Sequence, residues 1–273
     1  MTTVISFLSD FGTSDTSVGQ CKGVIAGITP KALVVDITHD VPHYDIATGA
    51  TLLRNATPHF PPCVHVAIVD PGVGTARRGL AIETGRGDIL IGPDNGLLLP
   101  AAEALGGIGL VFELSSAEFR HHPVSHTFHG RDIFCPAAAF LIHGVGIHML
   151  GDPLDASTLA AMPQQKSSLA GEVLYATVAY VNTYGTLALN APGTALEALG
   201  GPTTVEVTIG DSKPFLVPVV RTFGEVPHGE MLLFVDSYGQ LSLARNQQDL
   251  SASLGLARHD HPTVGIRAAG RAE

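Results

Sequence analysis

The chain has 273 residues, 45% of them hydrophobic and 15% charged, which suits one large or two modest domains with a substantial core and excludes a disordered protein. Fifteen Lys plus Arg stand against 25 Asp plus Glu, a formal charge of -10, so the basic footprint that a nucleic-acid backbone demands is missing and a small or cationic ligand fits better. The longest apolar stretch, residues 135–150, is broken by Pro136, two glycines and two histidines, and reads as a core helix rather than a membrane span.

In chain order, "VISFLSD" (4–10), "ALVVDIT" (32–38), "VHVAIVD" (64–70), "GLAIET" (79–84), "DILIGPD" (88–94) and "GLVFEL" (109–114) are short apolar runs that end in polar or turn residues, the pattern of strands. Helical patterns lie at 17–29, 45–57, 97–105 and 130–144. This alternation predicts a largely parallel sheet with helices on its faces, whose sites collect at the carboxyl ends of the strands. Asp10, Asp36, Asp70 and the pair Asp94-Asn95 all fall at or near strand ends, and three of these four positions are expected at one edge of the sheet.

Near residue 163 the pattern changes. The polar stretch "PQQKSS" reads as a linker, and the runs 171–190, 203–210, 214–223, 230–246 and 263–268 read as strands joined by Gly-rich turns. The expected organisation is an α/β domain over 1–165 and an all-β domain, a small barrel, over 170–273.

Cys21, Cys63 and Cys135 have no metal-type spacing and are expected as buried thiols in a reducing compartment. The N-terminal "MTTVISFLSDFG" lacks a basic segment, so no signal peptide is expected and the predicted location is cytoplasmic.

The segment "DPGVGTARRG" places Gly-x-Gly after a strand, but Arg77 stands where a dinucleotide fingerprint needs its third Gly, and a strand rather than a helix follows. The glycines are expected to let the backbone turn tightly and close on a ligand. Asp70 read alone is equally a strand-end turn former, and Arg77 and Arg78 equally solvated charges. "HTFHGRDIF" (126–134) changes the balance, because it brings His129 to the start of a helix. An Asp, an Arg and a His from separate loops suit the positioning of a water: the Arg holds the carboxylate ionised and the His accepts or relays a proton near neutral pH. The sets His122/His126/His129 and "RHDHP" (258–262) allow a metal reading, against which Pro123 interrupts the first. In the second half, "YVNTYGTLALN" (180–190) and "VDSYGQLSLARN" (235–246) share one form, either plain hairpins or strand ends where Asn182 and Ser237 offer hydrogen bonds and Tyr184 a planar face.

Taken in order and spacing, "SDFGTSDTSVGQCKGVI", "VDPGVGTARR", "GPDNGLL", "TFHGRDIF", "NTYG" and "SYGQLSLARN" resemble the S-adenosyl-L-methionine hydroxide adenosyltransferases, the adenosine-forming S-adenosylmethionine hydrolases, which are relatives of the fluorinase and chlorinase. The resemblance implies an N-terminal α/β domain, a C-terminal β-barrel-like domain, and a homotrimer with ligand bound between one subunit's N-domain and a neighbour's C-domain. No metal and no cofactor are expected, and charge and hydropathy already speak against a nucleic-acid or membrane partner. The water-activating set falls on Asp70, Arg77 and His129. The ribose carboxylate matches Asp10, and the methionine side matches Asp15, Thr16 and Ser17. In the barrel, Asn182 and Ser237 match the methionine amine and carboxylate contacts, and Thr186 with the Arg245-Asn246-Gln247 backbone matches the adenine edge. Tyr44, Asn95, Phe128 and Tyr184 complete the candidate substrate-binding set. The family usually reads Asp-x-Phe-Gly-Asn where this chain has Asn182-Thr183-Tyr184-Gly185-Thr186, which removes a charged partner for the substrate ammonium. The fluorinase carries Tyr in place of Asp70, a Tyr-Ser pair in place of His129-Gly130, and a loop inserted after this motif, so a water-using enzyme is expected and not a halogenase. A ligand binder without turnover is the competing class.

Overall fold

The computed structural model describes residues 3–162 and 166–270. The chain divides into two compact units, Met1–Pro163 and Gln164–Glu273. Of the expected linker, Pro163, Gln164 and Gln165 lie outside the described residues.

The first unit runs β1 (Val4–Ser9), α1 (Ser17–Ile28), β2 (Leu33–Thr38), α2 (Ile46–Ala56), β3 (Val64–Ile68), β4 (Gly79–Thr84), β5 (Ile89–Pro93), α3 (Leu99–Ala104), β6 (Ile108–Glu113) and α4 (Cys135–His143). The strands form one sheet in the order β2-β1-β3-β5-β4-β6. β1, β2, β3 and β5 are parallel, and β4 alone runs against both of its neighbours. Continuous burial on β3 and β5 follows from cover on both faces. On one face Ile5, Phe7, Val66 and Ile91 pack with Val18, Cys21 and Ile25 of α1 and Ala138 and Leu141 of α4. On the other, Leu8, Ala67, Leu80 and Leu90 pack with Ala50 and Leu53 of α2 and Ala101 and Ala102 of α3.

The parallel register carries Asp10, Asp70 and the pair Asp94-Asn95 to one edge of the sheet. Asp36 sits back inside β2, opposite Phe7, and pairs with Lys22 at 2.6 Å. The predicted helix at 130–144 is in fact two pieces: a π-helical turn over Gly130–Phe134, then α4, with Pro136 directly after the junction.

The second unit contains β7 (Ser168–Ala170), β8 (Val173–Val181), β9 (Leu187–Pro192), α5 (Ala195–Ala198), β10 (Thr204–Ile209), β11 (Phe215–Pro218), β12 (Met231–Val235), β13 (Gln240–Arg245), α6 (Leu250–Ser253) and β14 (Thr263–Ala268). Its antiparallel sheet runs β11-β10-β14-β8-β9-β13-β12, with β7 beside β8. A bridge from Val219 to Leu233 brings the two ends together, so the sheet curls into a nearly closed barrel around Val178, Leu189, Val207, Leu243 and Ile266. Among the described residues no helix is long and apolar enough to cross a membrane.

Candidate active site

Asp70 ends β3 one turn before the Gly-containing loop that returns Arg77 to it. Arg77 grips the carboxylate through two donors, Nε to Oδ1 at 3.1 Å and Nη2 to Oδ2 at 2.5 Å, with both side chains almost wholly buried. The same Nη2 reaches His129 Nδ1 at 3.0 Å. The guanidinium carbon also lies 5.1 Å from the centre of the Phe134 ring, so a stacked ring supports the group whose N–H donors hold Asp70 and His129. The expected Asp-Arg-His set is therefore brought together, from the end of β3, the start of β4 and the π-helical turn.

The arrangement fixes the histidine's role. A guanidinium only donates, so Nδ1 of His129 carries the lone pair and the proton of the neutral ring sits on Nε2. Burial, and next the Arg77 charge, lower the His129 pKa below its ordinary 6.5. His129 thus presents an Nε2–H donor. The expectation that it accepts or relays a proton is corrected here, because the nitrogen that would accept is already taken by Arg77.

Glycines shape this corner by letting the backbone turn tightly, as expected. Gly74 has φ +76°, and a Cβ there would lie 2.3 Å from the His126 carbonyl oxygen; its missing side chain makes room for the loop that carries His129. Gly130 likewise lies against Phe11, whose ring a Cβ would meet at 2.9 Å. Phe11 in turn stands edge-on to Phe128, and Arg131 covers the other side of Phe128 while pairing with Asp132. Phe128 is therefore a clamp on the π-helical turn as well as a neighbour of the site.

Asp10 begins a turn at the end of β1. Its Oδ2 accepts the Tyr44 N–H at 2.9 Å and its carbonyl accepts His43 Nδ1 at 2.9 Å. Burial raises its pKa, opposed by the Tyr44 N–H, and the nearby Asp70 charge adds slightly to the rise. The bond to Asp10 holds Tyr44 at φ +66°, a conformation few non-glycine residues adopt, and leaves its ring exposed. Beyond the turn, Asp15 Oδ1 accepts the Ser17 N–H at 2.8 Å and Thr16 Oγ1 accepts Gln20 Nε2 at 2.8 Å, so Asp15, Thr16 and Ser17 line the exposed start of α1. The role of His43 had no signal in the sequence beyond its place in a loop after a strand.

Two predicted ligand contacts also have partners within the chain. Asn95 donates to the Val69 carbonyl at 2.8 Å and accepts from Leu97 N at 3.2 Å, so its amide holds the peptide from which Asp70 projects. Asn246 donates from Nδ2 to the Val226 carbonyl, and its backbone is bonded to Glu230 and Gly229.

In the second unit the two hairpins of common form are the same turn built twice. Asn182 Oδ1 accepts from Tyr184 N at 2.9 Å and Thr186 N at 3.0 Å; Asp236 Oδ1 accepts from Tyr238 N at 2.9 Å and Gln240 N at 3.0 Å. With its oxygen engaged, Asn182 can offer only its NH₂. The turns lie at opposite ends of β13, because Leu187 stands beside Leu243 whereas Pro192 stands beside Gln240. Asn182, the exposed Tyr184 and Thr186 therefore share an end with Arg245 and Gln247, and Ser237 lies at the other.

Among the described residues the histidine sets considered for a metal do not converge. One buried group, Cys63, His65 and Asp88, does gather ligand-type atoms within 4.8 Å. Yet His65 is bonded through Nδ1 to Ser6 and through Nε2 to Asp88, and Arg86 takes both oxygens of Asp88. Cys63 Sγ sits 3.8 and 3.7 Å from the two ring nitrogens, off the axis of either lone pair. Burial pushes the Cys63 thiol up to about 11, so it stays protonated. The donor set does not suit a cation beside Arg86, and the group is a polar pin at the foot of the sheet.

Comparison with known proteins agrees with this geometry. Residues 5–151 match the SAM hydroxide adenosyltransferase N-terminal domain and residues 176–263 its C-terminal domain. An (R)-S-adenosyl-L-methionine hydrolase of Salinispora tropica is 43% identical over 95% of this chain and 97% of its own length. A relative of the same name from Thermus thermophilus is 39% identical over 92% and 95%, and a fluorinase of an Actinoplanes species 29% over 93% and 94%. The crystal structure of an uncharacterized conserved protein from Thermotoga maritima superposes with a TM-score of 0.88 at 34% identity, covering 96% of this chain and 99% of that one.

Proposed function

The chain belongs to the SAM hydroxide adenosyltransferase family, and from that premise and the geometry of Asp70, Arg77 and His129 we propose that it is an enzyme that hydrolyses S-adenosyl-L-methionine to adenosine and L-methionine. The relatives named as (R)-S-adenosyl-L-methionine hydrolases, at 39–43% identity over most of their length, support this reading. The observation that carries it is the fixed triad itself. A carboxylate neutralised by a bidentate guanidinium, beside a neutral N–H donor, suits an uncharged water and not a halide ion.

In the proposed reaction a water accepts from His129 Nε2–H and donates to Asp70, which aims an oxygen lone pair at the 5′-carbon. The new C–O bond forms as the C5′–S bond breaks, methionine leaves as a neutral thioether, and the water's proton passes to Asp70. A sulfonium needs no acid to leave, so the enzyme acts by alignment and exclusion of bulk water, effects worth about 7–11 kcal/mol in well-oriented systems. The Arg77 charge would repel the sulfonium were it not paired with Asp70. Asp10 receives the ribose through the oxygen that Tyr44 leaves open, and Asp15 and Ser17 receive the amino acid end. Asn95 acts behind Asp70.

The barrel residues Tyr184, Thr186 and Gln247 are proposed to reach the nucleoside, and Asn182 the methionine ammonium, from a neighbouring subunit in a homotrimer, a ring of heterologous contacts. The free thiols support a cytoplasmic location. The test is incubation of the purified chain with S-adenosyl-L-methionine and separation of the products. Adenosine and methionine are expected in equal amounts, and Asp70→Asn and His129→Ala are each expected to slow their formation about 10²-fold or more. Wild-type rates in either folded variant would remove that residue from the mechanism.

A further inference from the structure

One polar chain, buried at Ser9 and His39 and open at Asp36, lies outside the site and ends on it. Ser9, the last residue of β1, places Oγ 2.7 Å from Nδ1 of His39, which is 4% exposed. His39 Nε2 lies 3.1 Å from Asp36 Oδ1, and Asp36 is held by Lys22 at 2.6 Å. The carboxylate favours the proton on Nε2, so Nδ1 accepts from the Ser9 hydroxyl. That hydroxyl in turn accepts the Phe11 N–H at 3.3 Å. The hydrogen bonds thus run from the Phe11 amide through the Ser9 hydroxyl to His39, and the Asp36 carboxylate faces the far ring nitrogen as a nearby charge without hydrogen-bond geometry. The His39 backbone closes the same turn, since its carbonyl accepts the Gly12 N–H at 2.7 Å, and the Phe7 ring meets the imidazole edge-on at 4.7 Å. Residues 9–12, with Asp10 at their centre, are therefore stitched to residues 39–44 on both sides of the carboxylate.

We propose that His39 is a positioning residue for the nucleoside end of the substrate, acting through Ser9 on the turn that carries Asp10; this rests on the reading of Asp10 as the ribose carboxylate. The hydrogen bonds place no group near the reacting carbon. Their loss lets Asp10 wander from the Tyr44 N–H and weakens the hold on the ribose, while the water site on β3 keeps its own supports in Arg77 and Asn95.

The test measures adenosine binding by calorimetry, alongside KM and kcat for S-adenosyl-L-methionine, in the wild type, His39→Ala, His39→Asn, Asp10→Ala and the double variant Asp10→Ala/His39→Ala. His39→Ala is expected to raise the adenosine Kd and the KM about tenfold, the scale of one buried hydrogen bond, with the loss falling on KM rather than kcat. His39→Asn, whose Oδ1 lies where Nδ1 was, is expected to recover most of that loss. In the Asp10→Ala background the His39 change is expected to add nothing further. Should His39→Ala fail to fold, Ser9→Ala removes only the hydroxyl and carries the same expectation. Equal damage to KM and kcat, no rescue by Asn, or additive losses in the double variant would overturn the proposal and leave the ribose reading standing. Absence of adenosine binding in the folded wild type would overturn the ribose reading first, and the proposal with it.

Discussion

Removing Arg77 while leaving Asp70 strands a carboxylate whose side chain is only 6% exposed. Arg77→Met conserves the stem that packs on Phe134 and deletes both donors to Asp70 and the one to His129. Breaking one half of a buried ion pair costs about 3–5 kcal/mol. For a unit of this size each kcal/mol lowers the melting temperature by about 2–4 °C, so a fall of roughly 6–20 °C is expected. Replacing both partners, as Asp70→Asn/Arg77→Met, leaves no uncompensated charge and is expected to regain at least half of that fall. Catalysis behaves in the opposite sense: the double variant is as inactive as either single one, because water orientation needs the carboxylate and the fixed imidazole together. The assay is thermal melting by circular dichroism in parallel with adenosine release. A single variant that melts within about 1 °C of wild type, or a double variant less stable than Arg77→Met, would refute the placement of this pair as a buried unit whose retention is catalytic rather than stabilising.

The lowered His129 pKa has a pH consequence. The neutral ring is the working form, its folded pKa lies below the unfolded 6.5, and protonation is lost function; the acid limb of kcat/KM therefore falls below 6.5, and a limb at or above that value would contradict the assignment. The same depressed pKa adds stability at pH values above the unfolded pKa, and this is lost as pH falls through the folded pKa. Asn182→Asp keeps the oxygen that caps the turn and adds a free anionic one, so KM for the sulfonium substrate is expected to fall about tenfold, the lower end for a charge-assisted hydrogen bond; an unchanged KM would show that this turn does not face the ammonium. In concentrated chloride or fluoride, adenosine is expected to remain the dominant nucleoside, since Asp70 already neutralises Arg77 and leaves no net positive charge to hold a desolvated anion, and a 5′-halo nucleoside accumulating with halide would remove the water site.

The fold was legible because strands buried on both faces read as unbroken apolar runs and each helix between them begins after a polar turn. The fluorinase-type inserted loop expected to be missing is indeed replaced by a tight turn, with Gly87 N bonded to the Thr84 carbonyl. The π-helical turn was not legible, since an apolar run at 130–144 has nearly the same periodicity whether the chain winds with four or five residues between partners. Asp70, Arg77 and His129 could be named from their places in separate loops, but the proton's position on His129 depends on which nitrogen Arg77 reaches, and sequence carries no such information. The bond from the Asn95 amide to the Val69 carbonyl was not legible either, because an amide on a loop near a site looks the same in sequence whichever way it faces. Ser237 and Asn182 share a motif, yet the antiparallel register of β9 and β13 sends their turns to opposite ends.

The most direct test of water attack at the 5′-carbon is a single turnover of S-adenosyl-L-methionine in ¹⁸O-labelled water, with mass spectrometry of both products. Adenosine carrying one ¹⁸O at its 5′-oxygen, beside methionine with no label from the reaction, is the predicted result. Adenosine without label, label in methionine alone, or no cleavage by the folded enzyme would contradict the account.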